Sequence, residues 1–413
     1  MLLRKLLLRL KPLSLNNQST AIATEQYSAN KKRPQICGLF LSYWQKFVNL
    51  QNISYKQSTT MDNQYCIIMA GGIGSRFWPL SKNNYPKQFL DILGTGKSFI
   101  RSTFERFLPI VPAENFLVVT NAAYKDAVLQ HIPELRPDQV LCEPMRRNTA
   151  PCIAYASYRI KSQCSDAVIA VTPADHLVLN ETAFQKTIST GFEFVSQPDH
   201  RDALLTIGIK PSRPETGYGY IELPAGENPQ GKVTAIEGFK EKPDLERAKA
   251  FVAAGNYLWN SGIFIWSLEG ILSAFRNFLP DMAALFDQGN GIFGTDAEQD
   301  FINRKFAECQ NISIDYGVME HATSRYTIPA EFGWSDIGTW GSLFTHVDKD
   351  ANNNALQGKT ILADTRNSIV NVENGVEAIV EGLDGYLVAY RDKSLLVCRL
   401  ADEQHIKEWV EKL

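Results

Sequence analysis

The sequence predicts an α/β fold: a doubly wound, mostly parallel sheet with helices on both faces, followed by a small C-terminal β module. Three observations predict it. Short apolar runs alternate with helical stretches between residues 66 and 209, the rhythm of strand–helix–strand crossovers. Loops rich in Gly, Asn and Asp stand directly after several of those runs, where ligands meet an open α/β sheet. After Val347 comes a polar, Asn-rich linker, Asp348 to Gln357, and then short β-type runs parted by Asn374-Gly375 and Asp384-Gly385, both turn signals.

Composition bounds the rest. A chain of 413 residues holds one large α/β domain and a smaller one. With 44% hydrophobic and 21% charged residues it reads as a soluble globular protein. A net charge of −3 gives no support to nucleic-acid binding, so an anionic ligand needs locally placed positive charge. The seven cysteines show no C-x-x-C and read as buried free thiols of a reducing, cytoplasmic compartment. No apolar run approaches the length of a membrane span.

Residues 1–60 stand apart. MLLRKLLLRLKPLSL is basic and apolar, residues 16–35 are polar and aperiodic, and Met61 stands only a few residues before the apolar run and glycine turn that open the main domain. The preferred reading is a non-native or disordered extension with Met61 as the natural start; a targeting or regulatory extension is the alternative. Residues 61–347 then form the main domain, and residues 348–413 the β module with a terminal helix.

Within the main domain, Cys66-Ile67-Ile68-Met69 is a buried strand. It runs into Ala70-Gly71-Gly72-Ile73-Gly74-Ser75-Arg76, a turn whose N–H groups can cradle phosphate. Arg76 adds a planar charged fork, and Lys87, after Pro86, a second phosphate-seeking charge. Gly94-Thr95-Gly96-Lys97-Ser98 imitates the end of a P-loop, but Asp91 stands where a glycine is required. It reads instead as a turn before a helix from Phe99 to Leu108, with Ser98 near the N-cap. Strands follow at Phe116–Thr120, Gln139–Leu141, Asp166–Val171 and Ala203–Ile209, and helices at Ala122–His131, Ala150–Lys161 and Asp244–Ala254.

Four further blocks carry chemistry. In Glu143-Pro144-Met145-Arg146-Arg147-Asn148-Thr149, Asn148 and Thr149 can cap a helix or contact a purine edge. Asp175 stands just past a buried strand, where it can cap a turn or offer Mg²⁺ a hard oxygen ligand. Its neighbour His176 is given no catalytic role. Gly217-Tyr218-Gly219-Tyr220 reads as a hairpin or as a backbone that closes over a sugar. Glu241 and Asn260 suit sugar hydroxyls, and Lys242 suits a sugar's phosphate. Asp336, in Gly333-Trp334-Ser335-Asp336-Ile337-Gly338, supplies a second acid in a glycine-containing turn.

Together these blocks resemble the nucleotide-sugar pyrophosphorylases, and AGGIGSRFWPLSK…YPKQFL resembles their mannose-1-phosphate guanylyltransferase branch. The runs EPMRRNTAP, TPADH, GYGY, FKEKP, WNSGIF, SIDYGVME and GWSDIG match in order from about residue 65 onward; Gly317 stands where the family usually has Ala. The resemblance implies a Rossmann-like nucleotidyltransferase sheet. It implies GMP transfer from GTP to α-D-mannose 1-phosphate, giving GDP-mannose and pyrophosphate with Mg²⁺. The implied catalytic residues are Arg76, Lys87 and Asp175, with Asp175 and Asp336 as metal ligands. Ala70, Gly71, Gly72, Gly74, Ser75, Arg76, Asn148 and Thr149 would bind nucleotide. Gly217, Tyr218, Gly219, Glu241, Lys242 and Asn260 would bind the sugar phosphate. A homodimer is one assembly open to such a chain. The competing readings are a pyrophosphorylase for another sugar and base, or a non-catalytic regulatory relative. A dinucleotide-binding enzyme is disfavoured because Gly71, Gly72, Gly74 and Arg76 do not follow G-x-G-x-x-G.

Overall fold

The computed structural model describes residues 62–226 and 230–413; the N-terminal extension, with Cys37, lies outside the described residues. Along the chain run β1 (Gln64–Met69), α1 (Phe99–Phe107), β2 (Phe116–Asn121), α2 (Lys125–His131), β3 (Val140–Glu143), α3 (Thr149–Lys161), β4 (Val168–Pro173), β5 (Leu177–Val178), α4 (Glu181–Val195) and β6 (Leu204–Ile209). Then come β7 (Tyr220–Glu222), β8 (Thr234–Ala235), β9 (Gly238–Lys240), α5 (Leu245–Ala254), β10 (Tyr257–Ser267), α6 (Leu268–Phe278), α7 (Pro280–Asp287), α8 (Glu298–Lys305), β11 (Arg325–Ala330), β12 (Trp334–Ser335) and α9 (Trp340–Phe344).

The main sheet has the order β3-β2-β1-β4-β10-β6-β11-β8, with β7 pairing on β10 and β9 on β7. Strands β1 to β4 pair in parallel, as do β6 and β11. Strand β10 is antiparallel to both of its neighbours, β4 and β6. The mostly parallel sheet expected from the sequence is therefore present, with one antiparallel strand at its centre. That strand carries Asn260, and its pairing with β6 slips between Asn260 and Phe264; such irregularities re-aim side chains next to functional sites.

Alternation along β1 explains the two helical layers. Tyr65 and Ile67 belong to an apolar cluster that includes residues of α3, α6 and α7. Cys66 and Ile68 belong to a second cluster with residues of α1, α2 and α4. With both faces covered, the strand reads as a continuous apolar run. Helix starts are capped as the residue types dictate: Ser98 accepts from Arg101 N, Asn180 from Ala183 N, and Asp244 from Arg247 N. The P-loop lookalike is a surface turn held by Asp91, which accepts from the N–H groups of Thr95 and Gly96 at 2.9 and 2.7 Å. All six described cysteines are free thiols, five of them buried. Among the described residues no helix is long and apolar enough to cross a membrane.

The C-terminal strands are β13 (Ala355–Gln357), β14 (Lys359–Ala363), β15 (Ile369–Val372), β16 (Glu377–Glu381), β17 (Tyr386–Arg391) and β18 (Ser394–Arg399), before α10 (Ile406–Val410). Strands β13, β15 and β17 pair in parallel, as do β14 and β16. Successive strands thus alternate between two sheets in a short parallel coil, which β18 closes antiparallel to β17. Asn374-Gly375 and Asp384-Gly385 are corners between sheets, not hairpin turns.

This module is welded to the glycine-turn region. Phe77, Leu80 and Leu90 share one apolar cluster with Trp340, Ile369, Leu387 and Ile406, and the Phe77 and Trp340 rings lie 5.3 Å apart. Glu403 accepts from Gly341 N at 2.7 Å, at the start of α9. Glu403→Ala is expected to cost about 1 kcal/mol in urea unfolding, the range for losing a helix-start acceptor. Lys359→Ala, which breaks only the exposed pair with Glu377, should leave the midpoint unchanged.

Candidate active site

The glycine turn starts where β1 ends. Gly74 adopts φ 69°, and a Cβ there would stand 2.5 Å from Cβ of Lys87. Backbone conformation and space both exclude a side chain. The turn is laced to the segment behind it. The Ala70 carbonyl accepts from Gln88 Nε2 at 2.9 Å and Thr120 Oγ1 at 2.8 Å. The Ile73 carbonyl accepts from Lys87 N at 3.1 Å and from the Ser81 hydroxyl. Gly72 and Arg76 are exposed on the turn, with Gly71, Gly74 and Ser75 half-buried beside them, and Arg76 has no salt bridge among the described residues.

Lys87 is the knot of the site. It is 3% exposed, and its ammonium pairs with Asp175 Oδ2 at 3.0 Å. It also donates to the main-chain carbonyls of Asp175 at 3.1 Å and Asp336 at 2.6 Å. One cation therefore holds together the loop after β4 and the turn after β12, which lie far apart in sequence. Burial works most strongly and would raise the Asp175 carboxyl, but the charge and hydrogen bond of Lys87, together with smaller neighbouring contributions, hold the group below its ordinary value.

Asp336 Oδ1 accepts from the Tyr218 hydroxyl at 2.5 Å and from Gly338 N at 3.2 Å. The next residue, Ile337, takes φ 39°, a left-handed conformation that a β-branched residue adopts only when its surroundings enforce it. His176 Nδ1 accepts from Trp334 Nε1 at 3.2 Å. Burial drives its imidazole down to about 4, so it is neutral and acts as a hydrogen-bonding partner. Among the described residues no cluster of three or more potential metal-ligating side chains occurs. Two carboxylates beside the glycine turn offer the hard oxygen ligands that a divalent cation takes, with the rest of its shell left to water and ligand.

Beyond the acids opens a cleft of about 230 Å³ lined by Gly217, Tyr218, Gly219, Glu241, Lys242 and Asn260, all singled out in the sequence. A Cβ at Gly219 would stand 2.4 Å from Glu241 Oε2, so glycine lets the main chain lie directly on that carboxylate. Lys242 has φ 46° and folds its ammonium onto Glu241. Asn260 donates from Nδ2 to Asp315 Oδ1 at 2.8 Å. Asp315 lines the same cleft, yet the sequence reading gave it no role. Its signal was an isolated acid after two buried residues, Ser313 and Ile314.

On the other side of the turn, Asn148 has φ 67° and its side-chain oxygen accepts from Thr149 N. The Thr149 hydroxyl accepts from Ile314 N at 2.8 Å. The Asn148 side chain thus caps α3, while the Thr149 hydroxyl ties the helix start to the segment at Ile314 and borders the cleft. Glu143 is the residue the sequence reading passed over. It ends β3, is 6% exposed, and its Oε1 has no hydrogen-bond partner among the described residues. Its Oε2 lies 3.6 Å from where a Gly71 Cβ would be. Burial pushes this carboxyl up to about 8, against the pull of Arg146. The legible signal was a lone acid closing an apolar strand in front of the glycine turn.

The Nucleotidyl transferase family matches residues 65–353. The Xanthan biosynthesis protein XanB of Xanthomonas campestris pv. campestris (strain B100) is 37% identical over 79% of this chain and 70% of its own length. The mannose-1-phosphate guanylyltransferase ManC of Salmonella typhimurium is 37% identical over 84% of this chain and 73% of its own. A crystal structure from Thermus thermophilus, described as a mannose-1-phosphate geranyltransferase, superposes with a TM-score of 0.74 at 30% identity, covering 85% of this chain and 99% of that one. The chain belongs to the nucleotidyl transferase family, within its mannose-1-phosphate guanylyltransferase branch.

Proposed function

We propose that this nucleotidyltransferase moves GMP from GTP onto α-D-mannose 1-phosphate, releasing pyrophosphate, with Mg²⁺ as its divalent ion. The observation that carries the reading is Lys87, whose single ammonium binds the loops of both acids beneath the glycine turn. The sugar phosphate is ionised at neutral pH and needs no general base, in keeping with a neutral, hydrogen-bonded His176. Its oxygen attacks the α-phosphorus in line, a P–O bond to the sugar phosphate forms, and the α–β bridge breaks to free pyrophosphate. Arg76 and the Gly71 and Gly72 amides would meet the charge on the triphosphate and leaving group. Asp175 and Asp336 would hold the metal, which supplies charge neutralisation between the two reacting phosphates. Glu241 and Asn260 would hold the sugar, and Lys242, folded onto Glu241, would turn to the sugar's phosphate.

The test is pyrophosphate release by the purified chain with Mg²⁺, screening the four NTPs against mannose and glucose 1-phosphates. Dominant turnover of GTP with mannose 1-phosphate supports the reading. Dominance of another pair keeps the chemistry and overturns the substrate assignment.

Glu143 bears on the base. Burial favours the neutral carboxyl in the free protein; guanine would favour the ionised form, whose two oxygens match its N1–H and 2-amino donors, a pairing that adenine and the pyrimidines lack. Wild type should use GTP at least about tenfold better than ITP, which lacks the 2-amino group, in line with the loss of one hydrogen bond to a buried charge. Glu143→Gln should lower kcat/KM for GTP and bring GTP and ITP within about twofold of each other. A full GTP preference retained in the variant removes Glu143 from base recognition.

A further inference from the structure

The proposed reaction leaves the matched SIDYGVME block without work. Its acid, Asp315, opens a π-helical turn, Asp315–Met319, a wide turn frequent at functional sites. The turn presents the Asp315 carboxyl to the cleft that holds Glu241 and Asn260.

The surrounding hydrogen bonds leave little freedom. Asn260 Oδ1 accepts from the buried Thr206 hydroxyl at 2.8 Å and from Gly262 N at 3.3 Å. Its amide is thereby oriented with Nδ2 toward Asp315, at 2.8 Å, and one N–H remains for a ligand. Glu241, with a side chain 5% exposed, is fixed by Gly219 on one side and Lys242 on the other. Lys242 reaches it from a left-handed backbone conformation, which its surroundings must enforce.

Burial, and then the charge of Glu241, push the Asp315 carboxyl above the ordinary carboxylate range. The carboxyl oxygens of Asp315 and Glu241 can accept from hydroxyls, and the remaining Asn260 N–H can donate to one. A phosphate-binding site would not juxtapose two carboxyl groups beside a buried amide with one N–H left over. A polyol site would, because each hydroxyl both donates and accepts.

We propose that Asp315 is a specificity-determining residue of the sugar subsite, joining Glu241 and Asn260 in a jaw that reads a pair of adjacent ring hydroxyls on a pyranose 1-phosphate. The proposal rests on the reading of this cleft as the sugar-phosphate side of the active site, and it adds a contact that the family motifs for the sugar did not include.

The test pairs a residue change with a substrate change. kcat/KM is measured for the whole chain, wild type and Asp315→Asn, with mannose 1-phosphate and with its 2-deoxy, 3-deoxy and 4-deoxy analogues. Asparagine keeps the shape and an acceptor for Asn260, and a thermal melt checks that the variant is folded. In wild type, removal of the hydroxyl read by Asp315 should cost about tenfold to hundredfold. In Asp315→Asn the same removal should cost no more than about twofold, with KM for GTP unchanged, because the interaction is already gone. Equal deoxy penalties in both proteins at all three positions overturn the proposal, even if the variant is slower. Should Asp315→Asn fail to fold, Asp315→Glu is measured instead; it retains the charge but misplaces it, and the same two outcomes decide. Absence of wild-type turnover with any sugar 1-phosphate would overturn the sugar-site reading itself, a separate result from equal penalties in an active enzyme.

Discussion

Asp175→Ala is expected to reduce turnover by about a thousandfold or more while leaving the protein folded, in the range seen when charge stabilisation at a reacting phosphate is removed. The geometry separates the two effects. Asp175 stands past the end of β4, where its carboxylate is a candidate metal ligand. Lys87, which pairs with it, keeps two other acceptors, the carbonyls of Asp175 and Asp336. The loops therefore stay tied when the carboxylate is lost. A small stability change should follow pH in a definite sense. Lys87 holds the Asp175 carboxyl below its ordinary value of 3.8. Its contribution is then fully present above that value and is lost as pH falls through the lower folded value. The stability gap between wild type and Asp175→Ala should accordingly close in acid. Turnover is read from pyrophosphate release, and stability from a series of melts at successively lower pH, starting at about pH 7. An Asp175→Ala enzyme of normal turnover would sink the metal-site assignment.

Lys87→Met is expected to do what Asp175→Ala does not: damage stability and turnover together. The methionine fills the space beside Gly74 but leaves the Asp175 carboxylate and two carbonyl oxygens facing a site without a cation. Removing one member of such a pair costs about 3 kcal/mol, and the loops bearing Asp175 and Asp336 lose their common tether. Turnover should fall by about a hundredfold or more as the two acids lose alignment. Denaturant melts and pyrophosphate release measure the two effects. A variant with wild-type stability would mean that Lys87 serves the ligand alone. The contrast is informative because the two residues form one ion pair, yet only the lysine also binds the backbone of both loops.

The fold was legible wherever local pattern and tertiary role agree. Apolar runs such as Val168 to Val171 are buried on both faces and could only be inner strands. Ser98 and Asp244 stood at the helix starts they cap. The central antiparallel strand β10 was not legible, because Trp259 to Phe264 was visible only as a motif. Nothing local says that a strand inserts between β4 and β6, or in which direction.

The site divides in the same way. Chemistry that depends on residue type was written in the chain: a glycine at φ 69° in the turn, an arginine beside it, acids after strand ends, and the block order that marks the family. The convergence of those parts was decided in three dimensions. Lys87 looked like one more phosphate-seeking charge, but the fold buries it and turns it onto two backbone carbonyls and an acid. Asn148 and Thr149 read as caps on residue type alone and as base contacts by resemblance; in the structure the Asn148 side chain caps α3, while the Thr149 hydroxyl holds Ile314 N beside the cleft. Glu143 and Asp315 were ordinary acids in sequence. Burial without a partner singles out the first, and a place beside Glu241 in the cleft singles out the second. Residue identity determines which interactions a side chain can make. Which of them is left for a ligand depends on what the rest of the chain has already satisfied, and only the tertiary structure decides that.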